Sequence, residues 1–197
     1  MNPSNSVIVV VGGGAAGFFS AIHNQNNNPN SQVILIEKTA EVLAKVKISG
    51  GGRCNVTNAF FDPTLLCENY PRGGKELCGP FHQFQPKDTI AWFESHGVPL
   101  KIEADNRVFP KSDSSQSIID CLLETATALG VKVWTECGVK SIRKVGTEFC
   151  LRLSNAQDQW CQKLILATGS SRSGYELAKE LGHTIERPIP SLFTVKI

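Results

Sequence analysis

The chain has 197 residues, 41% of them hydrophobic and 19% charged, enough apolar material to bury the core of one ordinary domain and too much for a wholly disordered chain. Its 20 Lys+Arg against 18 Asp+Glu leave a formal charge of +2, so no strong basic field advertises nucleic acid or an anionic membrane as a partner. No apolar run approaches the roughly 20 residues of a membrane span, the run Val7–Val11 is too short for a signal-peptide core, and the first arginine is Arg53, which argues against a transit peptide. Seven cysteines, an odd count with no C-x-x-C pair, point to free thiols in a reducing compartment, hence to a cytoplasmic protein, or a plastid stromal one behind a transit peptide that this chain lacks. The four histidines add no metal-binding spacing, and no metal site is expected.

In chain order, Val7–Val11 is a run of β-formers without polar alternation, as in a strand buried on both faces. Gly12-Gly13-Gly14-Ala15-Ala16-Gly17 follows at once, and Phe18, Phe19, Ala21 and Ile22 then read as a helix packed on a sheet. An Asn-rich turn containing Pro29 ends that helix, and residues 32–36 form a second strand with Glu37 at its end, completing a βαβ unit. Residues 45–55 are too rich in glycine for a helix or a plain strand. A short helix over 88–96, two small strands within 101–109 and a helix over 117–129 come next. Strands are expected over 131–134, 139–145, 148–153 and 160–166, followed by a final helix over 175–181. The pattern predicts an α/β, Rossmann-like dinucleotide-binding domain with an inserted antiparallel β-meander.

Gly12, Gly14 and Gly17 fit G-x-G-x-x-G, and each glycine meets a separate physical need. The first permits a tight turn off the strand, the second close approach of a pyrophosphate, and the third close packing of helix on strand. The phosphates then meet the free N–H groups and the dipole at a helix N-terminus. Glycine-rich turns are common, so the motif alone is weak. Its context strengthens it, because it follows a buried strand, opens a helix, and precedes Glu37 by the 20 residues expected for a ribose-binding acid. A solvated strand-end charge is the bland alternative for Glu37. The fingerprint serves FAD and NAD alike.

Ser49-Gly50-Gly51-Gly52-Arg53-Cys54-Asn55-Val56-Thr57-Asn58 decides between them by resemblance. With Arg107-Val108-Phe109-Pro110, Leu166-Ala167-Thr168-Gly169 and Leu181-Gly182-His183-Thr184-Ile185 followed by Pro190-Ser191-Leu192, it resembles the BaiN-type NAD(P)/FAD-dependent oxidoreductases over essentially the whole chain. The resemblance implies a glutathione-reductase-like FAD-binding domain. FAD would be held at Gly12, Gly14, Ala15, Ala16, Gly17, Glu37 and Lys38, and the loop Ser49, Gly50, Gly51, Gly52, Arg53, Cys54, Asn55 would run along it. Val139, Ala167, Thr168 and Gly169 complete the set. It further implies NAD(P)H as electron donor and a small organic substrate, an activated C=C bond being one candidate. Read physically, Arg53 reaches a phosphate or substrate anion, its alternative being a cap on a carbonyl or an ion pair with a surface acid. Cys54 is an inert buried thiol rather than a redox group, Asn55 and Thr57 fix the loop, and Phe109 belongs to the core. Trp92, Trp134 and Trp160 are taken as structural.

Two departures from the family are visible. Ser170-Ser171-Arg172-Ser173-Gly174-Tyr175 is shorter than the family's loop at that point. The chain also stops where family members enter a separate substrate domain. It is therefore read as an N-terminal half, with residues 1–190 an incomplete FAD domain and 191–197 the start of the crossover, and with the missing C-terminal half or a partner chain as a candidate partner. The runners-up are a non-catalytic dinucleotide-binding module and an RNA-modifying flavoprotein. No catalytic acid or base is identified.

Overall fold

The computed structural model describes residues 6–189. The segment 191–197 and the Pro190-Ser191-Leu192 stretch lie outside the described residues. In chain order the elements are β1 (Val7–Val11), α1 (Ala15–Asn27), β2 (Gln32–Ile36), α2 (Ala44–Ile48), a 3-10 turn (Ser49–Gly52) and β3 (Thr57–Asn58). Helices α3 (Pro63–Glu68), α4 (Gly74–Gln83) and α5 (Pro86–Ser95) follow, then β4 (Leu100–Ile102), β5 (Arg107–Pro110), α6 (Ser115–Ala128) and β6 (Lys132–Trp134). The chain continues through β7 (Val139–Val145), β8 (Glu148–Leu153), β9 (Asp158–Cys161), β10 (Lys163–Leu166) and α7 (Arg172–Glu180).

A parallel sheet in the order β10-β1-β2-β6 is the centre of the fold. Val7–Val11 pairs residue for residue with Gln32–Ile36, and β10 lies on the other side of β1. Successive side chains of a strand point to opposite faces. Ile8, Val10, Val33 and Leu35 thus pack with Phe18, Ala21 and Ile22 of α1 and Ile118, Leu122 and Ala126 of α6. Val9, Val11, Ile34 and Ile36 pack with Ile142, Leu151, Leu153 and Leu177, on the meander and α7. Both faces are covered, which explains the unbroken apolar runs. At about 1.5–3 kcal/mol for each fully buried aliphatic side chain, these two strands anchor the domain.

Two small antiparallel sheets flank the centre. Strands β7-β8-β9 form the meander, and β3-β5-β4 form a sheet that supports the glycine-rich segment from below. The fold class expected from the sequence is the one observed: a Rossmann-like fold, mixed α/β with one parallel and two antiparallel sheets among the described residues.

Some local expectations need correction. Residues 160–166 are two strands that part at Gln162. The strand β9 pairs with β8 while β10 pairs with β1, and the Gln162 N–H and side chain turn back onto the backbone of Val7 (3.0 and 2.7 Å). Residues 44–48 are helical after all, because the glycines begin only at Gly50 and α2 ends before them. Trp160 does not serve the core: it is 43% exposed, since its neighbour Cys161 takes the inward position of β9.

All seven cysteines are free, and Cys78 is the least buried of them. Burial pushes the Cys54, Cys121 and Cys137 thiols above their ordinary value, and Cys161 up to about 11. Ellman's reagent at pH 8 is therefore expected to modify Cys78 first and the other six only on unfolding. Rapid modification of Cys54 in the native chain would contradict the inert reading.

Candidate functional site

The C-terminal ends of β1, β2 and β10 open onto a cleft of about 710 Å³, where an open α/β sheet places its ligand and within the roughly 300–1,000 Å³ of ordinary ligand pockets. Three features build it: the glycine turn after β1, the acid after β2, and the turn after β10.

The glycine turn shows the division of labour expected of it. Gly12 has φ +117, and a β-carbon there would lie 2.5 Å from the Ala167 carbonyl oxygen. A β-carbon at Gly17 would lie 1.8 Å from the Gly12 oxygen, so α1 sits as close to the turn as backbone allows. Gly14 is different, for a β-carbon there would meet nothing within 4 Å. It caps α1 without any side-chain hydrogen bond, which leaves the first N–H groups of the helix free. An open approach beside unsatisfied donors fits a dinucleotide pyrophosphate.

Glu37 lines the cleft and also ties the turn together. Its Oε2 accepts from the Gly13 N–H (2.7 Å), and its Oε1 from the Thr39 N–H and hydroxyl (3.0 and 2.8 Å). Burial alone raises the carboxyl's pKa, but these donors outweigh it and hold the group below its ordinary 4.5. A carboxyl with a depressed folded value contributes fully above its ordinary value, and that contribution fades as pH falls through the lowered one. Melting temperature is thus expected to fall below about pH 4.5 partly through this group. In Glu37→Gln this share of the acid sensitivity is absent, and stability at pH 7 is lower by about 1–2 kcal/mol. Identical pH profiles for the two proteins would remove Glu37 from that role.

Most of the other sequence-predicted residues also meet in the cleft. Ala15 and Ala16 of α1, Lys38 and Val139, and Ala167, Thr168 and Gly169 after β10 all line it. Thr168 is pressed against α7, where a β-carbon at Gly174 would overlap its hydroxyl. Gly17 lies beneath the turn rather than on the cleft.

The glycine-rich loop divides. Ser49, Cys54 and Asn55 line the cleft, whereas Gly50, Gly51, Gly52 and Arg53 do not. Gly50 and Gly51 are left-handed (φ +56 and +68), and Cys54 is also left-handed at φ 61, so the loop coils back on itself. Asn55, with its amide nitrogen turned toward the β3-β5 sheet, donates to the Thr57 and Val108 carbonyls (2.8 and 3.3 Å). It both lines the cleft and fixes the loop.

Arg53 takes the bland alternative. Its Nη1 bonds Glu103 (2.7 Å) and approaches Asp113 (3.4 Å), while its guanidinium lies 3.9 Å from the centre of the Phe109 ring. The Lys101 ammonium, with Arg53 behind it, holds the Asp113 carboxyl below its ordinary value. Phe109 itself is fully buried, in the core as expected.

Sequence reading missed the cleft's second cation. Lys45 belongs to no motif, yet it lines the cleft beside Gly169, with Nζ 3.2 Å from the Ser170 hydroxyl. Phe84 and Phe93 also line it.

Among the described residues no group of three or more His, Cys, Asp or Glu side chains is arranged to hold a metal ion, and no helix is long and apolar enough to cross a membrane.

A buried parallel strand, a glycine turn, an uncapped helix N-terminus and an acid at the end of the next strand together define a dinucleotide-binding protein of the Rossmann type. Residues 6–189 match the model described as the HI0933-like protein Rossmann domain, and the chain belongs to that family. It is 28% identical over 176 residues to the 3-dehydro-bile acid delta(4,6)-reductase of Clostridium scindens, covering 85% of this chain and 42% of that one. To the ribosomal RNA dihydrouridine synthase of Escherichia coli it is 32% identical over 159 residues, covering 77% and 38%. The chain therefore spans about two fifths of the length of the curated relatives it matches. Among solved structures, Thermovibrio ammonificans THI4 superposes with a TM-score of 0.58 at 11% identity, covering 91% of this chain and 64% of that one, a likeness of fold alone.

Proposed function

We propose that this chain is the FAD-binding portion of an NAD(P)H-dependent oxidoreductase that reduces a small organic substrate, with residues 1–190 forming the FAD domain. The observation that carries the reading is the cleft at Gly14, open above free helix N–H groups and bounded by Glu37. The free N–H groups of α1 would hold the pyrophosphate, and Glu37, already fixing the turn, would accept a ribose hydroxyl. The loop residues Ser49, Cys54 and Asn55 and the apolar wall at Phe84 and Phe93 would receive the flat ring system and keep water from it. Bound FAD supplies hydride transfer, and the protein contributes orientation and electrostatics. The name of the Clostridium scindens relative specifies a delta(4,6)-reductase, which supports an activated C=C bond as the substrate class.

The test is a visible absorbance spectrum of the purified, desalted chain before and after adding FAD, followed by anaerobic addition of NADH or NADPH. A flavin band that is retained or taken up, then bleached by a nicotinamide, supports the reading. A chain that takes up no FAD overturns it.

A second reading, an RNA-modifying flavoprotein, is favoured by the 32%-identical relative, whose name specifies ribosomal RNA. The +2 charge argues for the small substrate. A salt-sensitive mobility shift with ribosomal RNA fragments would reverse that preference.

A further inference from the structure

Two phosphates bring more negative charge than a helix N-terminus, worth about half a positive charge, can balance. The cleft's own cations are therefore the place to look for the remainder. Arg53 is committed elsewhere, shared between Glu103 and Asp113 and stacked on Phe109. Lys38 lines the cleft next to Gly138, where a β-carbon would lie 3.3 Å from the Lys38 β-carbon. Lys45 stands across the glycine turn, beside Gly169 and Ser170.

The backbone holds Lys45 there. Leu43, almost fully buried and left-handed at φ 56, donates its N–H to the Gly13 carbonyl (2.7 Å) and so starts α2 directly from the glycine turn. Lys47 N–H bonds back to the Leu43 carbonyl (3.0 Å) and the buried Val46 side chain anchors the next position, which leaves Lys45 on the cleft. Its ammonium has one hydrogen-bond partner among the described residues, the Ser170 hydroxyl, and no carboxylate within 4.0 Å. Three donors on one ammonium leave two to spare.

We infer that Lys45 is the cation that pairs with the pyrophosphate of the bound dinucleotide, bridging it to the turn after β10. The inference rests on the dinucleotide reading above and adds to it a specific ligand contact outside the glycine fingerprint.

The experiment titrates FAD and ADP into the wild-type chain and into Lys45→Met and Lys45→Arg, at about 20 and about 500 mM salt. Lys45→Met keeps the length of the stem and removes the charge, and Lys45→Gln serves as a second neutral variant should the first fold poorly. Both neutral variants are expected to bind FAD and ADP about ten- to a hundredfold more weakly, by the same factor for each ligand. They also lose most of the salt dependence, and Lys45→Arg recovers most of the affinity. Neutral variants with wild-type affinity for both ligands overturn the inference and leave the FAD reading standing. A loss for FAD but not for ADP also overturns it, since the cation would then act at the flavin ring. A wild-type chain that binds neither ligand overturns the inference and the FAD reading together.

Discussion

Gly14→Ala is expected to melt close to the wild type yet fail to retain flavin, while Gly17→Ala, three residues along, is expected to lose the fold. Gly14 has an ordinary extended backbone (φ −88, ψ −174), and a β-carbon there meets nothing within 4 Å. The folding cost is that of a poorer helix cap, at most about 1 kcal/mol. The new methyl group nevertheless stands where a pyrophosphate must approach the free N–H groups of α1. Losing those charge-assisted bonds weakens FAD binding by about 3 kcal/mol, roughly a hundredfold. At Gly17 the β-carbon would lie 1.8 Å from the Gly12 carbonyl, and Gly12 cannot yield, because its own N–H is bonded to Ile36 across the sheet (2.8 Å). Helix α1 must then lift from β1 and loosen Phe18, Ala21 and Ile22, which are buried against the strand. A cost above about 4 kcal/mol takes a large share of the roughly 5–15 kcal/mol that stabilises a domain. Thermal unfolding and flavin titration on the two variants check both halves. If Gly14→Ala keeps full flavin affinity, the open face of the turn is not where the ligand lies.

The two glycines also show what the sequence could reveal of this site and what it could not. Gly12, Gly14, Gly17 and Glu37 are local: strand, turn, helix and acid follow one another at fixed spacing, so the order of residues carries the geometry. The same holds for β1 and β2, whose unbroken apolar runs announce burial on both faces. Arg53 is the opposite case. Its partners Glu103 and Asp113 lie 50 and 60 residues further on. They reach it only because β5 pairs with both β3 and β4, a register that no short spacing encodes. The second role of Glu37, tying down Gly13, was hidden by the obvious first one. Lys45 was missed because its position depends on one backbone hydrogen bond, from Leu43 to Gly13. The break at Gln162 escaped notice for a related reason: an apolar run shows that a segment is extended, not that its two halves join different sheets.

Phe109→Ala is expected to destabilise the domain by about 3–5 kcal/mol and to release the glycine-rich loop, whereas Arg53→Ala leaves the melting temperature close to that of the wild type. The ring is fully buried, with Arg53 3.9 Å and Arg107 5.3 Å from its centre. A β-carbon at Gly50 would lie 2.9 Å from Phe109 Cε1 and 2.7 Å from the Asn55 N–H nitrogen, so the loop is seated directly on the ring. Arg53, by contrast, is partly exposed, and ion pairs in that setting contribute little once solvent screens them. Truncating the ring opens a cavity beneath Gly50 and removes the surface that holds Gly50 and Gly51 in their left-handed turn. Cys54 and Asn55, carried into the cleft by that turn, then lose their places. Flavin affinity is therefore expected to fall further in Phe109→Ala than in Arg53→Ala, when both are measured well below their melting temperatures. Phe109→Leu, which fills most of the volume, is expected to recover the larger part of both stability and affinity. Should Arg53→Ala prove the more damaging to flavin binding while melting like the wild type, the guanidinium would be a ligand contact after all, and its pairing with Glu103 would be a resting position rather than a structural one.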